Sequence, residues 1–444
     1  MTRLVLERAW VGGRMREDVV VEVVDGVFTR VADSAEGMDA DRVAGLCIPG
    51  LANTHSHAFH RALRGRTQGA NHGAPGSFWT WREQMYDVAA RLDPDTYYRL
   101  AHALYAEMVA AGTTATGEFH YLHHDPGGRP YPDHAMERAL LAAAGDAGMR
   151  IALIDTCYRS SGFGAPVEGV QRRYDDGSVM AWARRVEAFA EVVADQPHAR
   201  LGLAVHSVRA VPAADLPVVA EVAGGLGAPV HVHVSEQVAE NEACLAACGL
   251  TPTRLLADHG LLHPTTTLVH ATHLTEDDIA LIGAVGAHVS LCPTTERDLG
   301  DGIGPARALA DAGARLTLGS DSHAVVDPYE EMRAVEMDER LATQRRGHFS
   351  AAELLHAGTV AGHASLGWDD VGAIAVGQRA DLVVLDAASP RTAGAGGDES
   401  AVVFAAVAED VRRVMVDGAW RTLDRTGVGR RLAAAIEEVR CPAP

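Results

Sequence analysis

The middle of the chain alternates short apolar runs with alanine-rich stretches of helical character, and this alternation most restricts the possible folds. It is typical of βα units, whose strands form a parallel sheet. Helical stretches include residues 97–111, 180–194 and 277–283. The eight apolar runs are residues 46–57, 113–121, 150–158, 200–208, 229–236, 266–273, 287–293 and 315–321. Because eight parallel strands close into a barrel, the sequence predicts an α/β fold with a (β/α)8 TIM barrel.

The two ends of the chain differ from the middle. Residues 18–28 alternate in the β manner around an Asp25-Gly26 hairpin signal, and similar patterns return near the other end. The ends are therefore expected to pair around an inserted barrel. The predicted divisions are a small β domain from residues 1–47 and 372–425, a barrel over 48–371, and a C-terminal helix or tail over 426–444.

The charge of the chain limits its partners. Its formal net charge of −20 opposes binding to nucleic acid or to an anionic membrane, because phosphate groups need a dense basic surface. The 39 basic residues are all arginine, since the sequence contains no lysine. This excludes a Schiff-base lysine, a phosphate-loop lysine and the carboxylated lysine that bridges two metals in some hydrolases. A site with one metal ion is favoured.

The cysteines and the apolar segments indicate the compartment. Of the six cysteines only Cys244 and Cys248 lie close together, at a helical spacing, so free thiols are favoured over disulfides or a structural zinc site. The first residues contain no long apolar stretch, and no segment approaches membrane-spanning length. We expect a cytoplasmic protein with no membrane partner.

A histidine pair at the end of the first apolar run is the clearest chemical signal. His55 and His57 are two residues apart, so in a strand both imidazoles project from the same face. Later strand ends carry His206, His233, His270 and Asp321. The active site of a barrel forms at these ends, and three imidazoles with one carboxylate suit zinc or a similar divalent ion. The predicted ligands of one metal ion are His55, His57, His233 and Asp321.

Two of these choices have alternatives. His231 shares a strand face with His233, but His233 is nearer the strand end and Glu236 follows it by three residues. His270 could bind the metal or lie beside a water molecule, and we assign it the second role. A lone histidine at a strand end is more often a structural group, whereas four metal-binding side chains at one end of a barrel favour a metal site.

Several motifs together resemble the amidohydrolase superfamily, in its one-metal deaminase branch. They are residues 49–57, the His233-x-x-Glu236 step, His270 and residues 319–321. The flanking segments resemble the formimidoylglutamate deiminases of histidine degradation more specifically. These segments are residues 58–62, 78–82, 117–126, 206–209 and 295–302.

The resemblance implies hydrolysis of N-formimidoyl-L-glutamate to N-formyl-L-glutamate and ammonia. Zinc lowers the pKa of water to about 7 and so makes hydroxide available at neutral pH. It further implies that Asp321 takes the proton of the water, Glu236 protonates the imine nitrogen, and His270 orients the hydroxide and stabilises the tetrahedral intermediate. The residues alone also allow Glu236 to be a surface carboxylate at a helix start.

The implied substrate is a dianionic small molecule, which suits arginine because a guanidinium pairs bidentately with a carboxylate. The resemblance implies a pocket that contains Arg82, Tyr121, His206 and Arg209. Tyr121 ends the second apolar run and Arg209 follows the fourth, so both face the barrel mouth independently of the resemblance. The residues alone also allow a solvated Arg82 and a core position for Tyr121.

One position departs from the pattern of this family. His60 stands where the family has glutamine, which predicts an altered substrate contact and a shifted preference among formimidoyl amino acids. A deaminase of guanine-like or adenosine-like heterocycles is the alternative enzyme, although the low aromatic content of 5% opposes a base-stacking pocket. A metal-free scaffold that has lost its chemistry is the alternative outside enzymes. The resemblance also implies a homodimer.

Overall fold

The computed structural model describes residues 1–33, 39–68 and 78–441. The strands are, in chain order, β1 (Thr2–Val11), β2 (Arg14–Val24), β3 (Val27–Ala32), β4 (Asp41–Pro49), β5 (Leu51–Ser56), β6 (Thr113–His120), β7 (Arg150–Cys157), β8 (Ala199–Ser207), β9 (Val230–Val234), β10 (Thr266–His270), β11 (His288–Leu291), β12 (Arg315–Leu318), β13 (Leu382–Leu385), β14 (Val411–Val416) and β15 (Ala419–Trp420). The α-helices are α1 (Phe78–Ala89), α2 (Pro94–Ala110), α3 (Ala135–Ala147), α4 (Val179–Ala194), α5 (Leu216–Leu226), α6 (Val238–Cys248), α7 (Pro252–Asp258), α8 (Glu276–Val285), α9 (Pro293–Leu299), α10 (Ala306–Ala312), α11 (Pro328–Thr343), α12 (Ala351–His356), α13 (Gly362–Ser365), α14 (Glu399–Phe404) and α15 (Arg425–Arg440).

Strands β5 to β12 form a barrel in which each strand pairs in parallel with the next. The barrel closes where the segment after β12 returns to β5. The N–H groups of Ser320 and Asp321 donate to the carbonyl of His55, at 3.1 and 2.9 Å, and the N–H of His57 donates to the carbonyl of Asp321 at 3.2 Å. The predicted (β/α)8 barrel is therefore confirmed, and its closure brings the histidine pair of β5 beside Asp321.

A second sheet combines both ends of the chain, as the sequence predicts. Its strand order is β15-β14-β13-β4-β1-β2-β3, with β4 parallel to β1 and antiparallel to β13. Leu6, Val21, Phe28 and Leu382 are buried in a hydrophobic cluster of this sheet, separate from the barrel core. The exact domain divisions stay a prediction, and residues 34–38, 69–77 and 442–444 of the predicted ranges lie outside the described residues.

The first apolar run, predicted as one strand over residues 46–57, is divided between the two sheets. Its first part completes β4, and Leu51–Ser56 is the first barrel strand β5. Gly50 lies at the junction, where an added Cβ would be 2.2 Å from Oγ1 of Thr114 and 2.9 Å from Cβ of Asp381. The change of sheet therefore needs a residue without a side chain, a close-approach role of glycine.

The helices cover the barrel and obey ordinary capping rules. Helix α2 begins at Pro94 after Asp93, whose carboxylate accepts the N–H of Thr96 at 2.8 Å. Val428 and Leu432 of the C-terminal helix α15 form a small apolar cluster with Ala103 of α2. Within the described ranges, no helix combines the length and the apolar character needed to cross a membrane.

Arg150 joins the barrel to the second sheet and carries a stability prediction. It is fully buried at the start of β7, and its guanidinium is hydrogen-bonded to the carboxylates of Asp381 and Asp417. Arg150→Met leaves these carboxylates without their buried partner, so we expect a loss of about 3–5 kcal/mol in unfolding free energy. Chemical denaturation measures the change.

The control for this variant is Arg99→Met, which breaks the half-exposed ion pair between Arg99 and Glu438. Exposed pairs contribute about 1 kcal/mol or less, so this control should remain close to wild type. Equal losses in the two variants would contradict the argument from burial.

Candidate metal centre and active site

Three buried histidines meet at the C-terminal mouth of the barrel. Nε2 of His233 lies 3.0 Å from Nε2 of His55 and 3.3 Å from Nε2 of His57. Oδ1 of Asp321 lies 3.4 and 3.5 Å from Nε2 of His55 and His57. The four predicted metal ligands are therefore brought together from β5, β9 and the loop after β12.

The hydrogen bonds of the Nδ1 atoms, which face away from the site, show that the Nε2 lone pairs point into it. Nδ1 of His57 donates to the carbonyl of Phe119 at 2.9 Å, and Nδ1 of His233 donates to the carbonyl of His206 at 2.8 Å. The protons therefore lie on Nδ1, and the unprotonated Nε2 atoms face each other, as in metal-binding histidines. Burial also lowers the pKa of His55, His57 and His233 well below the ordinary value, which keeps the rings neutral. These converging lone pairs fit a divalent cation.

The alternative histidine of β9 points elsewhere. His231 is also buried, but its Nε2 lies 3.2 Å from the carbonyl oxygen of Ser365. It belongs to none of the groups of candidate metal ligands among the described residues. The preference for His233 over His231 therefore agrees with the geometry.

The loops that carry the site have unusual backbone conformations. Ser235, His270, Ala271, Asp321 and His323 all have positive φ angles, between 43° and 69°. Such values are uncommon outside glycine and concentrate at functional sites, where the surrounding structure holds them.

His270 lies among carboxylates beside the metal ligands. Its Nε2 is 3.8 Å from Oδ2 of Asp321 and 3.9 Å from Oε1 of Glu236, and its Nδ1 is 3.3 Å from Oε1 of Glu296. Burial lowers the pKa of His270, but Glu236, Glu296 and Asp321 outweigh burial and raise it to about 10. The three predicted acid–base groups, Glu236, His270 and Asp321, thus form one interacting cluster.

Burial raises the pKa of both candidate catalytic carboxyl groups. For Asp321 the nearby His270 and His60 oppose this effect, and for Glu236 the neighbouring Asp321 adds to it while His270 opposes it. A divalent cation held at the histidines would favour the ionised form of Asp321 instead. Glu236 keeps 14% of its side-chain exposure, whereas Asp321 is more deeply buried. Glu236 is therefore the more accessible of the two.

All five predicted substrate-contacting residues line one pocket above the metal ligands. They are His60, Arg82, Tyr121, His206 and Arg209. Nε2 of His60 lies 3.1 Å from the hydroxyl of Tyr121, and burial lowers the pKa of His60 to about 3, so this ring is neutral. Nε of Arg82 donates to the hydroxyl of Tyr86 at 2.7 Å. The pocket thus combines two arginines with the histidine and carboxylate cluster.

A larger cavity lies away from this chemistry. It has a volume of about 590 Å³ and is lined mainly by apolar side chains such as Leu316, Val335 and Phe349. It holds none of the converging imidazoles and carboxylates, so we assign the active site by chemistry rather than by size.

A second histidine and carboxylate group is an ion-pair network rather than a metal site. Nδ1 of His123 contacts Glu137 at 2.8 Å and its Nε2 contacts the carbonyl of Thr156 at 3.1 Å, so both nitrogens must donate. Arg185 already supplies a cation, 2.5 Å from Asp155 and 3.4 Å from Glu137. A ring without a free lone pair cannot bind a metal ion.

Sequence patterns alone do not reveal the side chains that support the candidate metal ligands. Glu118 accepts the hydroxyl of Ser56 at 2.6 Å and the N–H of Ala58 at 2.7 Å, and burial raises its pKa to about 7. The hydroxyl of Ser56 lies 3.1 Å from Nε2 of His323, which links the end of β5 to the loop after β12. Glu118 and Glu296 belong to the flanking segments noted above, but only the fold shows their contacts.

Residues 46–421 match the family model described as the amidohydrolase family. The chain belongs to the amidohydrolase family. The family is metal-dependent, and this amidohydrolase is a hydrolase that acts on C–N bonds. It is 38% identical to formimidoylglutamate deiminase from Pseudomonas aeruginosa, over 98% of this chain and 97% of the relative.

Two further comparisons agree on the family and widen the range of substrates. The amidohydrolase is 30% identical to 8-oxoguanine deaminase from Pseudomonas aeruginosa, over 97% of this chain and 94% of the relative. The crystal structure of an amidohydrolase from Brucella melitensis superposes with a TM-score of 0.90 at 32% identity, over 99% and 100% of the two chains. Relatives of the same family thus include deaminases of different substrates.

Proposed function

We propose that this amidohydrolase hydrolyses N-formimidoyl-L-glutamate to N-formyl-L-glutamate and ammonia. The observation that carries the proposal is a pocket that combines two arginines with a cluster of acid–base groups. Arg82 and Arg209 line it together with Glu236, His270 and Asp321. The substrate likewise combines a formimidoyl group with two carboxylates, one on the carbon that bears the formimidoyl nitrogen and one at the end of the side chain, so the pocket matches it in charge.

The metal site completes the proposal. His55, His57, His233 and Asp321 would hold one divalent ion, for which zinc is our choice because imidazole and carboxylate ligands suit it. When bound, such an ion supplies a Lewis acid and lowers the pKa of a water molecule toward 7. Elemental analysis of the purified protein should find about one zinc per chain.

Asp321 and Glu236 carry out different proton transfers. Asp321 accepts a proton from the attacking water, and Glu236 delivers a proton to the formimidoyl nitrogen, which makes the carbon a better electrophile. His270 hydrogen-bonds the attacking oxygen and stabilises the tetrahedral intermediate through its Nε2. Asp321 then passes its proton to the amino group while Glu236 accepts the proton of the hydroxyl group, so collapse of this intermediate breaks the C–N bond, releases ammonia and leaves the formyl group.

A heterocycle deaminase is the competing function, and one observation favours it. The pocket gathers Trp81, Tyr86, Tyr121, Tyr158 and Tyr174, although the chain as a whole is only 5% aromatic. The low aromatic content therefore does not exclude a stacking pocket. Two arginines favour a dianionic substrate over a neutral base. A scaffold without chemistry is disfavoured, because the ligands and carboxylates all converge.

An ammonia-release assay tests the function directly. It compares N-formimidoyl-L-glutamate, N-formimidoyl-L-aspartate, guanine and 8-oxoguanine on the same zinc-loaded preparation. We expect turnover of the formimidoyl amino acids and none of the purines. Turnover of a purine without turnover of the formimidoyl compounds would replace our proposal by the heterocycle function. The ratio of the two formimidoyl substrates also tests whether His60 shifts the preference between them.

Arg209→Met tests the recognition of the carboxylates. Arg209 is half-buried in the pocket, and its guanidinium forms no salt bridge among the described residues. Hydrogen bonds to charged groups contribute about 1.5–3 kcal/mol, so we expect KM to rise about 10–100-fold with a smaller change in kcat. The control is Arg254→Met, in an exposed ion pair with Asp258. An unchanged KM would remove Arg209 from substrate binding.

We also propose a cytoplasmic homodimer. The family resemblance supports it, and light scattering after size-exclusion chromatography tests the dimer.

A further inference from the structure

The two ring nitrogens of His270 have different surroundings. Nε2 faces the reacting groups, between Oδ2 of Asp321 and Oε1 of Glu236. Nδ1 faces away from them and lies 3.3 Å from Oε1 of Glu296 on helix α9. Both His270 and Glu296 are buried, so solvent does not compete strongly for this contact.

The contact defines where the proton lies. Oε1 of Glu296 also accepts the backbone N–H of Cys292 at 2.9 Å, so this oxygen acts as an acceptor. Nδ1 of His270 must then be the donor, in the neutral ring as well as in the charged ring. Nε2 is left as the nitrogen that faces Asp321 and Glu236.

Helix capping alone does not explain Glu296. A glutamate in the first turn of a helix can accept the N–H of the N-cap residue, and Glu296, at the fourth position of α9, accepts that of Cys292. A bond to an N-cap N–H does not require burial or a histidine, because Glu353, at the third position of α12, accepts the N–H of the N-cap residue Ser350 at 2.8 Å and is more exposed. The imidazole contact is the feature that distinguishes Glu296.

We propose that Glu296 is a positioning residue that keeps a proton on Nδ1 of His270 and thereby presents Nε2 to the attacking oxygen. Glu296 acts through His270 and does not touch the reacting atoms. The kinetic part of this inference rests on the proposed function, whereas the location of the proton does not.

Nitrogen-15 NMR of the imidazoles in the zinc-loaded enzyme tests where the proton lies. The signal of His270 is identified by its loss in His270→Ala. The spectra are recorded up to the pH at which the ring of His270 is neutral, because a charged imidazole carries both protons. In the neutral ring we expect a proton on Nδ1 in the wild type and in Glu296→Gln, whose amide oxygen can still accept it, and a mixture of tautomers in Glu296→Leu. An unchanged tautomer in Glu296→Leu would overturn the inference. This measurement needs no substrate, so it decides the point even if formimidoylglutamate is not turned over.

Kinetics separate positioning from capping. Glu296→Leu should lower kcat about 10²–10³-fold and leave KM within about 3-fold, whereas Glu296→Gln should recover most of the rate. Glu353→Leu removes a comparable cap on α12 and is the matched control, with an unchanged kcat expected. If Glu296→Leu loses thermal stability as Glu353→Leu does but keeps its kcat, Glu296 is only a cap. Thermal unfolding of all three variants shows whether each is folded.

Discussion

Asp321→Asn is expected to lower kcat by about 10⁴-fold, the upper end of the effect of a single proton transfer, and to weaken metal binding as well. Oδ1 of Asp321 faces Nε2 of His55 and His57 at 3.4 and 3.5 Å, and Oδ2 faces Nε2 of His270 at 3.8 Å. One carboxylate therefore lies between the candidate ligands and the candidate acid–base group. Asparagine keeps its shape but has no charge and takes up no proton at neutral pH.

Two measurements follow this variant, the metal content of the purified protein and kcat at saturating zinc. Asp327→Asn is a suitable control, because Asp327 lies six residues along the chain and caps helix α11 through the N–H groups of Tyr329 and Glu330. Asparagine caps a helix as well as aspartate does, so this control should keep both activity and metal. Normal turnover by Asp321→Asn would exclude it as the base.

The meeting of the candidate metal ligands could be predicted from local sequence because each of them lies at or shortly after the end of a strand. Side chains two residues apart in a strand project from the same face, which places His55 and His57 together. Parallel strands bring their C-terminal ends together whatever residues lie between them. His233 and Asp321 therefore meet the pair although they come from distant segments. The eight-stranded barrel and the pairing of both chain ends followed from apolar patterns in the same way.

The remaining features depend on contacts that no local pattern contains. The division of the first apolar run at Gly50 depends on the side chains of Thr114 and Asp381, which approach it from other parts of the chain. The contact between Glu296 and His270 depends on how α9 packs against the end of β10. Composition also misled one inference, since a chain with few aromatic residues can still concentrate them in a pocket.

Glu236→Gln should lower kcat about 10²–10⁴-fold while the zinc content stays at the wild-type level and KM changes little. Glu236 follows β9 at the pocket wall, where burial raises the pKa of its carboxyl group and so favours a form that can donate a proton. Its Oε1 is 3.9 Å from Nε2 of His270, and it belongs to none of the candidate ligand groups among the described residues. Glutamine keeps the hydrogen-bonding shape but cannot transfer the proton to the formimidoyl nitrogen.

The pair of carboxyl variants separates the two proposed roles. Asp321→Asn should lose metal and rate together, whereas Glu236→Gln should lose rate alone. Glu242→Gln, on the exposed side of α6, is the control for a charge change near Glu236 and should behave as wild type. A near-normal kcat in Glu236→Gln would show that Glu236 has no part in the proton transfer. Loss of zinc in that variant would instead make it a metal ligand, so metal content and rate are measured on the same sample.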